Sequence, residues 1–198
     1  MEHGVLVTED LIPVPRLSDR AARQRSPEQR LNLRFPELSR RQIAAFGRLP
    51  PGFPGRRRTL GRAVALVYAA ANRRDFEVVL LGLDPVDYEY RPAPGLTPPD
   101  LDPVFRGHDG YLRLWRYWLE AFEDIQWEPG EIIDFGERFV VTAQQRGSGS
   151  GSGVAVSEPV FQVFTLRDGL VLRQEDFLDR DAAVTAASRT SGPRRARR

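Results

Sequence analysis

The sequence of 198 residues predicts an α+β domain in which helices come first and an antiparallel sheet follows. Apolar residues recur at helical spacing in residues 59–72 and 109–123. From about residue 126 the pattern changes to alternation, interrupted by turn sequences such as Asp168-Gly169. Helices grouped before strands are typical of the α+β class, and the length suits one compact domain with appendages.

The N-terminal quarter predicts a lead-in followed by two helices. Residues 1–25 combine prolines and charges with few large apolar groups, so we expect an extended or weakly ordered segment. Ser26 then suits a helix cap, Pro27 the first helical position and Gln29 the third residue of a capping box. A second helix is expected over 36–48, where apolar residues return at near-helical spacing.

Proline and glycine mark the expected domain boundary. The run 50–55 contains three prolines and two glycines, which ends the second helix. We therefore expect an Arg-rich helical extension over 26–54 and the main domain over 55–188. Residues 189–198 are expected to form a basic, disordered tail.

The main domain shows mainly helix signals in its first half and mainly strand signals in its second half. The expected early elements are a helix capped by Thr59, a short helix over 76–83, a strand over 86–91, a Pro-rich loop over 92–103 and a helix over 109–123. The expected later elements are strands at 126–134, 138–146, 154–166 and 170–178 and a helix over 179–187. The Gly/Ser run 147–153 has no strand-then-helix context and no Lys, so it predicts a flexible loop and not a phosphate cradle.

Composition excludes several kinds of chemistry. The chain has no Cys and no Lys, so disulfides, thiolate nucleophiles, thiolate zinc sites and lysine Schiff bases are impossible. It has two His, and His3 is close to the start, so a His metal site or a Ser–His–Asp centre would rest on His108. We expect no metal and no cofactor. No apolar run is long enough for a membrane span, and we expect a cytoplasmic protein with no membrane partner.

Charge is unevenly distributed along the chain. The first 74 residues hold 15 Arg and 6 acidic residues, whereas residues 75–188 hold 9 Arg and 21 acidic residues. The last ten residues add 5 Arg and no acid. Basic ends can bind nucleic acid, but these Arg are spread along helices without interleaved stacking aromatics. We expect solvated or internally paired Arg and no nucleic-acid partner.

Five stretches of the main domain resemble the nuclear transport factor 2-like fold, and more narrowly its SnoaL-like polyketide cyclase branch. They are residues 70–76, 84–92, 105–110, 164–171 and 177–180, within a likeness that covers about 57–187. The resemblance implies a cone-shaped, curved antiparallel sheet packed on three helices around a pocket. It also implies a homodimer formed through the open sheet face and a small hydrophobic molecule as ligand.

The implied pocket supplies candidate ligand-binding residues. Aromatic candidates on the inward faces are Tyr68, Tyr88, Tyr90, Tyr111, Trp115 and Trp118. Polar candidates are His108, Gln144 and Gln162. An aromatic stripe is more often plain core than a binding surface, so both interpretations stay open.

Two neighbouring acids are the candidate catalytic residues. Glu175 and Asp176 lie on opposite faces of one strand, so only one of them can face the cone. The spacing from Asp176 to Asp179 is similar to the last strand of epoxide hydrolases and polyketide cyclases of this fold, where the first Asp is the acid or base. An Asp in a dry aromatic pocket has a raised pKa, which suits proton transfer near neutral pH.

Departures from related families narrow the assignment. The epoxide hydrolases pair an Arg and an Asp on a middle strand, and the matching place here holds Gln144-Gln145-Arg146. Ketosteroid isomerases carry a base Asp where this chain has Tyr90 or Arg91. Two hypotheses remain from the fold: a cofactor-independent isomerase, cyclase or hydrolase that uses a pocket carboxylate, or a non-catalytic ligand-binding or dimerisation module. Nucleic-acid binding by the Arg-rich ends is a third, disfavoured hypothesis, which predicts steep salt dependence.

Overall fold

The computed structural model of the chain describes residues 11–97 and 101–189. Predictions for His3, for the first ten residues of the lead-in, for part of the Pro-rich loop and for the tail after Arg189 lie outside the described residues. The helices are α1 Asp19–Arg23, α2 Pro27–Arg34, α3 Pro36–Gly47, α4 Arg56–Asn72, α5 Phe76–Leu80, α6 Gly107–Ala121 and α7 Arg180–Ser188. The strands are β1 Leu11–Pro13, β2 Glu89–Arg91, β3 Phe105–Arg106, β4 Gln126–Asp134, β5 Arg138–Ser148, β6 Ala155–Arg167 and β7 Leu170–Phe177.

These elements form a curved, unclosed sheet with helices packed against it, and the predicted α+β class is confirmed. The sheet order is β1-β4-β5-β6-β7-β2-β3. Neighbouring strands are antiparallel, except that β2 runs parallel to β7. Within the described ranges, no helix combines the length and apolarity needed to cross a bilayer.

Local sequence signals explain where several helices begin. Ser26 caps α2, and Gln29 completes the capping box as predicted, because its side-chain oxygen accepts from the Ser26 backbone N–H at 2.9 Å. The helix predicted to start after Thr59 begins earlier, at Arg56. The reason is a buried ion pair: Arg56 donates from Nε and Nη2 to Asp134, at 2.7 and 2.9 Å, and so fixes the first turn of α4 against β4.

The lead-in is more ordered than the sequence predicts. Leu11–Pro13 forms the edge strand β1, in which Ile12 lies opposite Ile132 and is buried in the core. Pro13 is tolerated because an edge strand leaves one row of N–H groups unpaired. The predicted extended or weakly ordered segment is thus an extended strand at Leu11–Pro13 followed by a helix at Asp19–Arg23, and one buried isoleucine and a helix cap anchor this stretch.

The sheet has two covered faces at its centre. Phe139, Val141 and Ala143 of β5 point to the interior, where the main core cluster lies under α4 and α6. Val140, between them, points to the opposite face and packs with α7 through residues such as Ala183. This arrangement explains the continuous apolar run of β5, because a strand covered on both faces need not alternate.

The short strand β2 and the residue before it bring Tyr90 and Tyr88 next to β7. The strand begins at Glu89 and not at Val86, because Asp84 accepts hydrogen bonds from the backbone N–H groups of Val86 and Asp87 and holds them in a turn. In the parallel register, Tyr90 lies opposite Gln174. The inward-facing side chains of β2 and β7 are therefore neighbours on the same face of the sheet.

The N-terminal extension is packed directly against the main domain. Gln29 of α2 is buried and donates to the carbonyl of Leu66 in α4 at 3.3 Å. At the end of α3, Gly47 meets Gly169 of the β6–β7 turn so closely that a Cβ on either residue would overlap the backbone of the other segment.

Replacing Gly47 by Ala should strongly destabilise the fold. Its added Cβ would overlap backbone atoms of Gly169, which cannot move away as a flexible side chain could, and we expect a loss of at least about 2 kcal/mol in the free energy of unfolding. Urea unfolding followed by circular dichroism measures this quantity. Gly82→Ala is the matched control, because its Cβ meets nothing nearer than a carbonyl at 3.8 Å. Equal losses in both variants would contradict the proposed contact.

Candidate functional site

Asp176 is the acid that faces the interior. Gln174 and Asp176 of β7 lie on the same face as the core and are 8% and 5% exposed. Glu175, between them, lies on the opposite face, half-buried, with its carboxylate 3.7 Å from Arg91. The structure therefore separates the two acids that the sequence left as alternatives.

Hydrogen bonds from three elements surround the Asp176 carboxyl. Nε2 of Gln162 donates to Oδ1 at 2.9 Å, and the hydroxyl of Tyr90 donates to Oδ2 at 2.8 Å. The hydroxyl of Tyr68, in α4, donates in turn to Oε1 of Gln162. Gln162 and Asp176 are direct cross-strand partners, so the sheet register itself makes this contact.

Burial raises the pKa of Asp176 to about 6, well above its ordinary value of 3.8. The cause is the loss of water around the charged form, which the hydrogen bonds of Gln162, Tyr90 and Gln174 offset in part. A carboxyl with this pKa can both release and accept a proton at pH values near neutrality.

The phenols beside Asp176 remain protonated. The pKa values of Tyr68, Tyr88 and Tyr90 are raised well above the usual value, because burial disfavours the phenolate and Asp176 adds negative charge nearby. Tyr88 forms a further tyrosine–glutamine hydrogen bond, in which its hydroxyl donates to Oε1 of Gln174 at 3.2 Å. These hydroxyls are therefore available as hydrogen-bond donors throughout the physiological pH range.

Aromatic rings enclose the rest of the interior. Trp118 packs edge to face on Tyr90 with 5.7 Å between ring centroids, and Trp115 packs on Trp127 at 4.9 Å. Together with Tyr111 they leave a cavity of about 100 Å³. Tyr68, Tyr90, Gln162 and Gln174 also line this cavity, so the partners of Asp176 separate its carboxyl from the open space.

One polar group in the cavity wall lacks a partner. Trp118 is 2% exposed, and its indole N–H has no hydrogen-bond acceptor among the described residues. Buried donors are paired in nearly all cases, and an exception calls for a bound water, an ion or a ligand. The cavity is thus apolar for the most part, with one free donor beside the carboxyl network.

A larger groove adjoins the cavity. It has a volume of about 1040 Å³ and lies between the lead-in, α4 and β4. Tyr68 and Trp127 line both the groove and the cavity and so lie between the two spaces. Gln144 also lines the groove and donates to the hydroxyl of Ser157 at 2.9 Å.

The structure gathers most of the predicted site residues but not all. Those that meet in the interior are Asp176, Tyr68, Tyr88, Tyr90, Tyr111, Trp115, Trp118 and Gln162. Glu175 lies outside it, and Gln144 lies at the groove. His108 is half-buried near Leu83 and Arg40 and does not line the cavity, and burial together with the charge of Arg40 lowers its pKa.

Sequence reasoning missed three interior residues. Gln174 could have been found from the alternation of β7, because it lies two residues before Asp176 on the same face. Trp127 lies opposite Gln145 on the interior face of β4 and β5. Gln145, which is 4% exposed, therefore occupies the inward position near the end of β5, next to the predicted Gln144. Because β5 carries apolar residues on both faces, its sequence does not show whether Gln144 or Gln145 faces inward.

No metal centre is evident in the described part of the chain. No group of three or more His, Asp or Glu side chains there is placed to hold one ion. The side chains joined by these interior hydrogen bonds supply one carboxyl, two amides and three phenols. This donor set suits hydrogen bonding to an organic ligand better than cation binding.

Comparison with known proteins supports the same fold. The sequence model of the SnoaL-like domain family matches residues 64–174, which is more than half of the chain. TerC, crystallised with polyporic acid, is similar with 26% identity and a TM-score of 0.53, over 65% of this chain and 96% of TerC. A nuclear transport factor 2-like protein of unknown function from Burkholderia pseudomallei K96243 has 26% identity and a TM-score of 0.54, over 64% and 95% of the two chains.

A more distant structure has the same fold. IdmH from Streptomyces antibioticus, a suggested polyketide cyclase, has 19% identity and a TM-score of 0.50, over 62% of this chain and 94% of IdmH. No protein with a curated description matches the chain. The predicted nuclear transport factor 2-like fold and its SnoaL-like branch are confirmed.

Replacing Asp176 by Asn should remove a pH-dependent cost of folding. The pKa of Asp176 is about 6 in the folded chain and near its ordinary value of 3.8 in the unfolded chain, so the folded state binds this proton more tightly. The contribution of Asp176 to stability therefore falls as the pH rises from about 4 to about 6 and stays constant above that. From pH 4 to pH 7 the variant should gain up to about 3 kcal/mol relative to the native chain.

Urea unfolding at several pH values measures this difference. Glu175→Gln is the matched control, since it removes a carboxyl from the half-buried opposite face of the same strand. A difference between Asp176→Asn and the native chain that does not change between pH 4 and pH 7 would show that Asp176 titrates normally.

Proposed function

The chain belongs to the SnoaL-like domain family, and we propose that it binds a small hydrophobic, oxygen-bearing molecule and transfers a proton on it without a cofactor. One observation carries the proposal: a buried carboxyl with a pKa of about 6 is hydrogen-bonded to residues that line an aromatic cavity. Proton-transfer chemistry needs such a group, and a purely structural core does not. The reaction would be an isomerisation, a cyclisation or a hydrolysis.

The cavity and the groove together suggest how a ligand is held. The cavity of about 100 Å³ admits only the reacting end of an organic molecule, while the groove of about 1040 Å³ has room for the rest. Movement of Tyr68 and Trp127 would join the two spaces. An oxygen at the reacting end would accept from the free indole N–H of Trp118. TerC, which was crystallised with polyporic acid, supports a small organic ligand.

Tyr90 provides a path for the proton. Its hydroxyl lines the cavity and donates to Asp176, whose carboxyl does not itself line the cavity. The ligand loses a proton to the oxygen of Tyr90 while Tyr90 passes its own proton to Oδ2 of Asp176, so no free phenolate forms. The electron pair of the broken bond stays on the ligand, where a carbonyl oxygen would accept the charge beside the Trp118 donor. The reverse transfer returns the proton to the ligand.

The pKa of Asp176 sets the expected pH dependence. As a proton acceptor the carboxyl must be ionised, so the rate of proton removal should rise with pH up to about 6 and become constant above it. Below pH 6 the protonated carboxyl no longer accepts, and the rate should fall about tenfold for each pH unit.

The small size of the cavity favours one alternative function. A space of about 100 Å³ is filled by a few water molecules, and a non-catalytic binding module would need no more than the open groove. In that case the carboxyl network would position rings for ligand packing and would transfer no proton. Ligand binding without proton exchange separates the two functions.

A homodimer and the absence of nucleic acid remain part of the proposal. The centre of the outer sheet face is covered by α7 of the same chain, so a dimer would use the polar remainder of that face around Gln144 and Ser157. Several Arg of the N-terminal half already face carboxylates: Arg56 is paired with Asp134 and Arg25 with Asp75. Such pairing leaves less basic surface for phosphates.

Proton exchange on carbon acids tests the catalytic proposal. The native chain, incubated in D₂O with small aromatic ketones, should accelerate loss of the proton signals next to the carbonyl group in ¹H NMR spectra. Asp176→Asn should lower the protein-dependent rate by about 10² to 10⁴-fold, because the proton acceptor is removed. Tyr90→Phe should lower it as well, since the path to Asp176 is broken.

Two controls make the result decisive. Glu175→Gln should retain the native rate, because that carboxyl is on the opposite face of the strand. Tryptophan fluorescence measures ketone binding to each variant separately from exchange. Binding with no protein-dependent exchange, or equal exchange in the native chain and Asp176→Asn, would refute proton transfer and favour the binding module.

A further inference from the structure

A second cleft, rich in arginine, lies where the N-terminal helices meet the main domain. Its volume is about 480 Å³. Four arginines line it, Arg23, Arg25, Arg73 and Arg74, together with two carboxylates and the ring of Phe76. Phe76 packs on Trp115 with 4.9 Å between ring centroids, and these two rings separate the cleft from the interior cavity. The cleft is thus separate from the cavity beside Asp176, although Arg23 and Arg73 also line the large groove.

The two carboxylates neutralise only part of this charge. Arg25 donates to both oxygens of Asp75, at 2.8 and 2.6 Å, and to Glu77 at 2.7 Å. Arg73 donates to Asp75 as well, at 3.1 Å. With four guanidinium groups against two carboxylates, the lining keeps an excess of positive charge, and Asp75 is shared between two of the arginines.

Arg74 is the least compensated of the cleft's partly buried cations. Its guanidinium donates only to backbone carbonyls, to Ile125 at 2.7 Å and to Ala71 at 3.3 Å, and lies 5.2 Å from the ring centroid of Trp115. It has no carboxylate partner in the described part of the chain. Partial burial lowers the pKa of Arg74, which is the mark of a cation that has lost water without gaining a counter-charge.

The backbone of Arg74 gives an independent indication. Its φ is 65°, and the Asp75 N–H bonds to the carbonyl of Ala70 at 2.8 Å, which closes α4 in a Schellman motif. Glycine is the usual residue at this position, because other residues pay for the left-handed conformation. Asp168, the other described non-glycine residue with positive φ, sits in a hairpin turn that favours it. An arginine at this strained helix end therefore indicates that its side chain has a functional role.

Two further guanidinium groups in the cleft have N–H donors that are available to a ligand. The buried Nε of Arg73 has no acceptor among the described residues. Arg23 is exposed and has no ion pair within the same part of the chain, so its guanidinium is free to swing toward a ligand. Three arginines can therefore each contribute a donor to an anion without breaking an existing carboxylate pair.

We propose that this cleft binds a small organic anion that presents a phosphate or a carboxylate to Arg74, Arg73 and Arg23 and an apolar part to Phe76. Planar guanidinium groups match both oxyanions, and 480 Å³ exceeds the space needed for the anionic group alone. The cleft shares none of its residues with the hydrogen-bond network of Asp176. It shares Arg23 and Arg73 with the large groove, whereas Arg74 and Phe76 line the cleft and not the groove.

Isothermal titration with phenyl phosphate, benzoate, inorganic phosphate and neutral benzyl alcohol tests the site. Phenyl phosphate or benzoate should bind with measurable heat, and benzyl alcohol should not. Binding of phenyl phosphate but not benzoate identifies a phosphate site, and the reverse identifies a carboxylate site. Arg74→Gly should weaken binding at least tenfold while the chain stays folded, since glycine suits the left-handed helix end.

Matched variants exclude a general effect of charge. Arg113→Ala removes an exposed arginine from α6, away from the cleft, and should bind the anion as the native chain does. Arg23→Ala, also exposed, should weaken binding about threefold and keeps the test valid if Arg74→Gly unfolds. The proposal fails if neither organic anion binds the native chain, if benzyl alcohol binds as well as they do, or if Arg74→Gly and Arg23→Ala both bind like Arg113→Ala.

Discussion

A carboxyl group without water must receive its hydrogen bonds from the protein, and this requirement ties the elements of the domain together. Asp176 is bonded by Gln162 of the neighbouring strand and by Tyr90 of the strand on the other side. Tyr68 extends the network to α4. A slip of one residue between β6 and β7 would place an apolar residue opposite Asp176, so the polar network fixes the register as well as the site.

Polar groups in this chain fall into two classes. Arg56 and Asp134 are buried and fully paired in a two-point contact, as expected for groups that hold elements in place. Asp176, Trp118 and Arg74 are buried to different degrees, and each is incompletely compensated. If stability were the only requirement, apolar residues at these positions would serve as well or better. Trp118 and Arg74 line two different pockets, and Asp176 is bonded to residues that line the first of them, which points to ligands at both places.

The sequence predicted local features better than features that depend on distant contacts. The capping box at Ser26 and the strand over 126–134 were predicted with their observed bounds, because neighbouring residues determine them. The early start of α4 depends on Asp134, which is far away in the chain. Ordering of the lead-in similarly depends on Ile12 reaching a strand formed by much later residues.

The same distinction applies to the candidate site. Alternation along β7 established that Glu175 and Asp176 face opposite ways, but it could not show which one faces inward. That choice depends on the parallel pairing of β2 with β7, which places Tyr90 beside Gln174 and Asp176. Gln145 was missed in favour of Gln144, because α7 covers the outer face of β5 and removes the polar alternation that reveals parity.

The close approach of Gly47 and Gly169 has a consequence for biosynthesis. A ribosome releases the Arg-rich helices early, yet the glycine they pack against belongs to the last hairpin of the sheet. Docking of the end of α3 must therefore wait until Gly169 has been translated. During that interval the side of α3 that packs on Gly169, which includes the buried Ala44, is exposed to solvent and to chaperones.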